Sequence, residues 1–151
     1  MSFVVPTLIG VVVFLIGQYI LKMVIEPIQA FRAALARLSN TILRHQAKIT
    51  NAAVDDEVSG KISDHSAEIV SAAAMIMFYR TARLFFRLPK KNGVALAARS
   101  LNHIAYSLNS SAREWEASPA FNSAKPDHTR YVYDALTVIR QQIGIKTNYE
   151  D

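Results

Sequence analysis

The residues of this chain that can do chemistry are few. It has no cysteine, so disulfides, thiolate nucleophiles, iron–sulfur clusters and cysteine-based zinc sites are all excluded. His65 and Glu68 stand three apart after Asp64, a spacing that puts both on one helix face and offers two metal ligands. Two ligands do not close a coordination sphere, and carboxylates in a first helical turn are expected to act as capping and dipole partners. His45 falls in an apolar seam, where it reads as a satisfied or partly exposed core histidine, with a buried proton acceptor or a cofactor ligand between helices as the alternative. His103 and His128 have no partner nearby in the sequence. The five glycines, at 10, 17, 60, 93 and 144, never cluster, so neither a phosphate-cradling loop nor a dinucleotide turn can be built. The expectation is a protein that is not an enzyme, with no catalytic residues, no metal, no cofactor and no evident small-molecule substrate.

Two other patterns suggest binding. Arg80, Arg83 and Arg87 recur at helical spacing, Lys90 and Lys91 extend the set, and Phe78, Tyr79, Phe85 and Phe86 are interleaved with it. Cations on long apolar stems beside aromatics suit a lipid headgroup layer, with a solvated helix face as the plainer alternative. Nucleic acid would use the same charges, but no recognition motif accompanies them, so none is expected. The second pattern is a face bearing Thr7, Gly10, Phe14, Gly17 and Leu21, whose small members let helix backbones approach closely in lipid.

These groups need elements to position them. With 151 residues, 51% of them hydrophobic, a mean hydropathy of +0.14 and a net charge of +5, the chain has room for one modest domain and a membrane element. From Ser2 to Leu21 no side chain ionises, and about 20 residues rising ~1.5 Å each cover the ~30 Å of bilayer hydrocarbon. A cleaved signal peptide fits less well: no cation precedes the run, it exceeds the usual ~7–15 residues, and no small-x-small site follows. Lys22, Arg32, Arg37, Arg44 and Lys48 all follow the run, so the positive-inside rule puts the N-terminus outside and the domain in the cytoplasm.

Glu26-Pro27 marks a kink or a new helix start, and Ile28, Phe31, Leu35, Leu38, Ile42 and Ile49 then recur in alternating threes and fours, a coiled-coil-like seam. Counted backwards, that seam meets Val24, Leu21 and Gly17, which predicts one long helix from Val4 to about Lys48 with a continuous face for dimerisation or docking. Residues 50–60 read as a linker. A second helix is predicted from a cap at Ser63 or Asp64, with Val70, Ala74, Met77, Phe78, Leu84, Phe85 and Leu88 on one side, stopping at Pro89. A third carries Val94, Ala97, Leu101, Ile104, Leu108 and Trp115. After a loop at 118–126, Asp127 caps a fourth helix with Val132, Leu136, Ile139 and Ile143 inward, and Gly144 stops it before a tail at 146–151. The fold class predicted is all-α: a transmembrane anchor at 1–25 running into an antiparallel four-helix bundle at 26–151.

Gly17-Gln18, Glu26-Pro27-Ile28-Gln29, Ala98-Arg99-Ser100-Leu101 and Ser107-Leu108-Asn109 resemble short bacterial single-pass membrane proteins of no known activity. The resemblance implies a bacterial inner membrane and carries over no catalytic residue. The function expected is therefore an accessory or scaffold subunit that binds a protein partner or its own copies. The alternative is a small effector of a defence or toxin system that oligomerises to disturb the bilayer. Toxicity on expression, abolished by Gly10→Leu with Gly17→Leu, separates the two.

Overall fold

The computed structural model describes residues 4–118 and 127–149, and every regular element among them is helical. Helix α1 (Val4–Ile20), a π-helical turn at Leu21–Ile25 and α2 (Glu26–Arg44) follow one another without a break over 41 residues. The apolar part has a windowed mean hydropathy of 2.3 and no buried residue, so the helix is long and apolar enough to span a membrane. Pro27 has no N–H to give the carbonyl four residues earlier. Just before it, the Glu26 N–H reaches back five residues to the Leu21 carbonyl, a wide turn that carries the helix past the proline unbroken. That turn holds one residue more than an α-turn, so the faces above and below it are offset by ~100°. The seam through Gly10 and Gly17 therefore does not run straight into Ile28.

Below the turn α2 is amphipathic, and it buries Ile28, Phe31, Ala34, Leu38 and Ile42, with Leu35 packed half-buried beside them. His45 is not a core residue: it caps the end of α2, half-exposed, at a break before α3 (Gln46–Thr50) buries Ile49. Helix α4 (Asp56–Ala74) starts seven residues before Ser63. The acidic trio expected in a linker is its start: Asp55 accepts the Val58 N–H at 3.0 Å, and Asp56 and Glu57 sit in the first turn, facing the positive end of the helix dipole. Only 51–55 connect α3 to α4.

The predicted second helix does not run through to Leu88. Helix α4 ends at Ala74, Phe78 takes a left-handed φ of 51°, and α5 (Tyr79–Phe86) leaves at 102° to α4 before Arg87, again at φ 51°, closes it. Helix α4 buries Val58, Ile62, Ser66, Ile69 and Ala73, which leaves Val70 and Ala74 outward, and past the break Met77, Phe78, Leu84 and Phe85 are exposed while Leu88 is buried, so the seven residues expected on one side do not share it. Helix α6 (Lys91–Leu108) buries Val94, Ala97, Leu101, Ile104 and Leu108 as predicted. It stops at Asn109, whose side chain caps α7 (Ser110–Ala117) on the Ala112 N–H, and this leaves Trp115 exposed instead of in the seam. Helix α8 (His128–Ile143) is capped by Asp127, buries Val132, Leu136, Ile139 and Ile143, and ends at left-handed Gly144. The predicted loop is described only at Ser118; 119–126 lie outside the described residues, as do 1–3 and 150–151.

The helical bundle packs α2 on α4, α4 on α6 and α6 on α8 around one core. Arg37 meets Glu68 and Thr41 meets His65, so position rises along α2 as it falls along α4. The same holds for α4 and α6, where Ser59 and Ser66 donate to the carbonyls of Ala105 (2.7 Å) and Ala98 (3.0 Å). These hydroxyls satisfy themselves on the neighbouring backbone and let the helices close up. The segment after Gly144 is more than a tail. It turns back along α2 and α3, with Ser39 donating to the Lys146 carbonyl at 2.8 Å and Gln46 to Asn148 at 2.8 Å, and it buries Ile145 and Thr147.

Candidate membrane-contact surface

Every residue of α1 is exposed, Val4, Phe14 and Leu15 by 60–70%, and a Cβ added at Gly10 or Gly17 would meet nothing within 4 Å. Of the face singled out for helix–helix contact, Thr7, Gly10, Phe14, Gly17 and Leu21 thus lie open. Ile28, Phe31 and Leu38 do not: they are buried in the chain's own core, with Leu35 half-buried there, so the helix–helix contacts they make are internal.

The bundle reaches up to the foot of this span. Val24 is the first residue of the long helix to pack against the core, and Ile25 and Pro27 are half-buried. The α2–α4 register sets Ala74, the last residue of α4, level with Phe31, and the α4–α6 register sets Lys91 level with Ala73. The corner between α4 and α5, all of α5 and the start of α6 therefore lie at the end of the body next to α1.

Helix α5 is pinned there from three sides. Tyr79, Ala82 and Phe86 turn inward at helical spacing, the first two buried and Phe86 half-buried against the core. The Tyr79 hydroxyl donates to the Pro89 carbonyl at 2.9 Å, and burial raises its pKa so that it stays a donor. Arg32 of α2 donates to the Phe86 carbonyl at 2.7 Å, satisfying one of the orphan acceptors at the helix end. Outward stand Phe78, Leu84 and Phe85, each exposed by 75–79%, with Arg80, Arg83 and Arg87 along one flank. Of the four aromatics interleaved with the basic set, two lie outside and two inside.

The basic set is brought together as expected. Arg80, Arg83, Lys90, Lys91 and Asn92 line one groove of about 870 Å³ with Phe78 and Tyr79; Arg80, Arg83, Leu84, Arg87 and Leu88 line another of about 520 Å³. Among the described residues none of the five cations pairs with a carboxylate. Acidic side chains concentrate at the other end, where Asp55 is ion-paired with Lys48 at 2.6 Å, Asp56 accepts the Ser110 N–H at 2.8 Å and Glu116 meets His128. Lys48 holds the Asp55 carboxyl, and Ser110 the Asp56 carboxyl, below the usual range.

The metal-spaced pair is structural. His65 Nδ1 lies 3.1 Å from Glu68 and Nε2 lies 2.9 Å from the Thr41 hydroxyl, while Arg37 binds the same Glu68 carboxylate and holds its pKa low. Both ring nitrogens are thus engaged, Nδ1 within α4 and Nε2 across to α2. Among the described residues no three His, Asp or Glu converge on a point fit for a metal. Sequence reasoning missed one pair: His128 Nε2 and Glu116 lie 2.7 Å apart, nearly buried, tying α7 to α8 across twelve residues of irregular spacing. No protein-family model, curated protein or solved structure matches the chain.

Proposed function

We propose that the chain is a non-enzymatic accessory or scaffold subunit of a bacterial inner-membrane complex or homo-oligomer. In this reading α1 crosses the bilayer with its N-terminus outside, and α2, α4, α6 and α8 form an antiparallel four-helix bundle in the cytoplasm. One observation carries it: a single 41-residue helix buries its lower half in the chain's own core and leaves its upper half uncovered on all sides. In lipid an apolar helix needs no cover, but Gly10 and Gly17 leave a shallow strip where a second helix can pack backbone to backbone. Lys22, Arg32, Arg37, Arg44 and Lys48, all after the span, support the orientation. Because Ile28, Phe31 and Leu38 are already used inside, the partner contact is confined to α1.

Since the chain has no cysteine, single cysteines report this directly. Gly10→Cys and Phe14→Cys in native membranes are expected to crosslink to a second copy or to a partner, and Val12→Cys, on the opposite face, is not. Monomer alone at all three positions, with no partner captured, overturns the reading.

A further inference from the structure

We infer that α5 is a second membrane contact: it lies flat on the leaflet from which α1 emerges, with Phe78, Leu84 and Phe85 below the phosphates and Arg80, Arg83, Arg87, Lys90 and Lys91 among anionic headgroups. This rests on α1 lying in lipid, and it is independent of whether α1 meets a partner helix.

Four observations converge. The first is position: α5 sits at the end of the body that abuts the foot of the span, since Arg32, which holds the Phe86 carbonyl, lies six residues or ~9 Å along the axis from Glu26. The second is direction. Helix α4 runs along the bundle, and the 102° bend turns α5 across it, which is the attitude of a helix parallel to the bilayer plane. The third is the pattern on the helix. At ~100° per residue, Leu84 points directly away from the buried Tyr79–Ala82–Phe86 face, Phe85 and Phe78 flank it on one side, and the three arginines flank it on the other. Large apolar side chains exposed by three quarters or more are costly in water and fit the acyl boundary, while the arginine stems allow their heads to stay in the headgroup layer. The fourth is charge. Five cations without carboxylate partners among the described residues line two grooves at this end. A polyanion in water would use the cations but leave Leu84 and Phe85 exposed; an anionic leaflet accounts for both.

The two left-handed residues fit the same account. Phe78 and Arg87 bracket α5, and a non-glycine residue in that region is disfavoured, so it persists only where its surroundings fix it. Here they fix a corner that turns apolar side chains outward.

The test uses the full chain reconstituted in bilayers, with single spin labels at Leu84→Cys, Phe85→Cys, Ser111→Cys at the far end of the body, and Leu15→Cys in the span. In vesicles of phosphatidylcholine with one third phosphatidylglycerol, the labels at 84 and 85 are expected to be shielded from an aqueous nickel quencher and open to oxygen. The label at 111 should show the reverse. In pure phosphatidylcholine, or in high salt, the labels at 84 and 85 should become accessible to nickel. Replacing Arg83 and Lys91 by glutamine should lower the ratio of inserted to detached α5 by about fivefold per cation, with the helical content unchanged. Labels at 84 and 85 as open to nickel as the one at 111 in anionic vesicles overturn the inference, whether the surface then serves a protein or a nucleic acid. Equal shielding in neutral and anionic vesicles overturns the headgroup assignment. The Leu15 label reports the span separately, so failure of the anchor is distinguishable from failure of α5.

Discussion

The two halves of the 41-residue helix draw on the same aliphatic stock and meet different surroundings. In α1 the apolar residues cover the whole circumference and no side chain ionises; in α2, Ile28, Phe31, Leu38 and Ile42 keep to one stripe while Arg32, Arg37 and Arg44 occupy the rest. The first pattern leaves no polar face for water, and the second leaves one apolar face that only protein can cover. Arrangement, more than amount, of apolar surface thus assigns each half its solvent. The change falls at the Leu21–Ile25 turn, beside the first cation and just ahead of Pro27.

The comparison breaks most violently if polar character is forced into the upper half. Phe14→Arg combined with Leu15→Arg adds about 5–7 kcal/mol to insertion on the biological scale, and the double variant is expected to leave the membrane fraction when cells are fractionated. A smaller and sharper contrast sets one leucine against another. Leu38 is fully buried and Leu15 is 60% exposed, so Leu38→Ala should cost about 2–5 kcal/mol in chemical unfolding of the detergent-solubilised chain, with Leu15→Ala leaving the midpoint where it was.

Glycines give the next contrast. A Cβ at Gly93 on α6 would come within 3.1 Å of the Gln142 backbone carbonyl on α8, so Gly93→Val is expected to destabilise by about 1–3 kcal/mol. Gly60→Ala, in open space on α4, should stabilise by about 0.5–1 kcal/mol. Gly10→Ala should leave the melting of the body unchanged. The smallest effect is electrostatic and confined to the helical body below α1. Lys48, Ser110, Lys61 and Arg37 hold the carboxyls of Asp55, Asp56, Glu57 and Glu68 below their ordinary 3.8 and 4.5. Groups whose folded pKa is depressed stabilise fully above the unfolded pKa and lose that contribution as pH falls through the folded one. The melting temperature is therefore expected to hold from pH 7 to about 5 and to decline below about 4.5; a rise on acidification contradicts these pairings.

Strongly patterned stretches were legible in the sequence. The uncharged run and the α2 seam rest on a period or composition sustained over about 20 residues, and the Asp127 cap and Gly144 stop on signals within one turn. The break at Met75–Phe78 had no such mark: neither glycine nor proline occurs there, yet Phe78 takes a left-handed turn. A single helix through that break would put Phe78, Leu84, Phe85 and Leu88 on one side, whereas of these Leu88 alone is buried. The acidic trio at 55–57 was taken for a linker because the apolar period of α4 begins only with Val58. The basic residues of α5 were found by spacing, whereas their place beside the foot of the span depends on helix register, which no local pattern encodes. His128 and Glu116 meet between α7 and α8, and their separation in sequence follows no helical period.

One measurement bears on the centre of the account: washing isolated membranes at alkaline pH and following the intact chain. The uncovered α1 predicts that the protein stays in the pellet and is released by detergent alone. Recovery in the alkaline supernatant would mean that α1 does not lie across the bilayer.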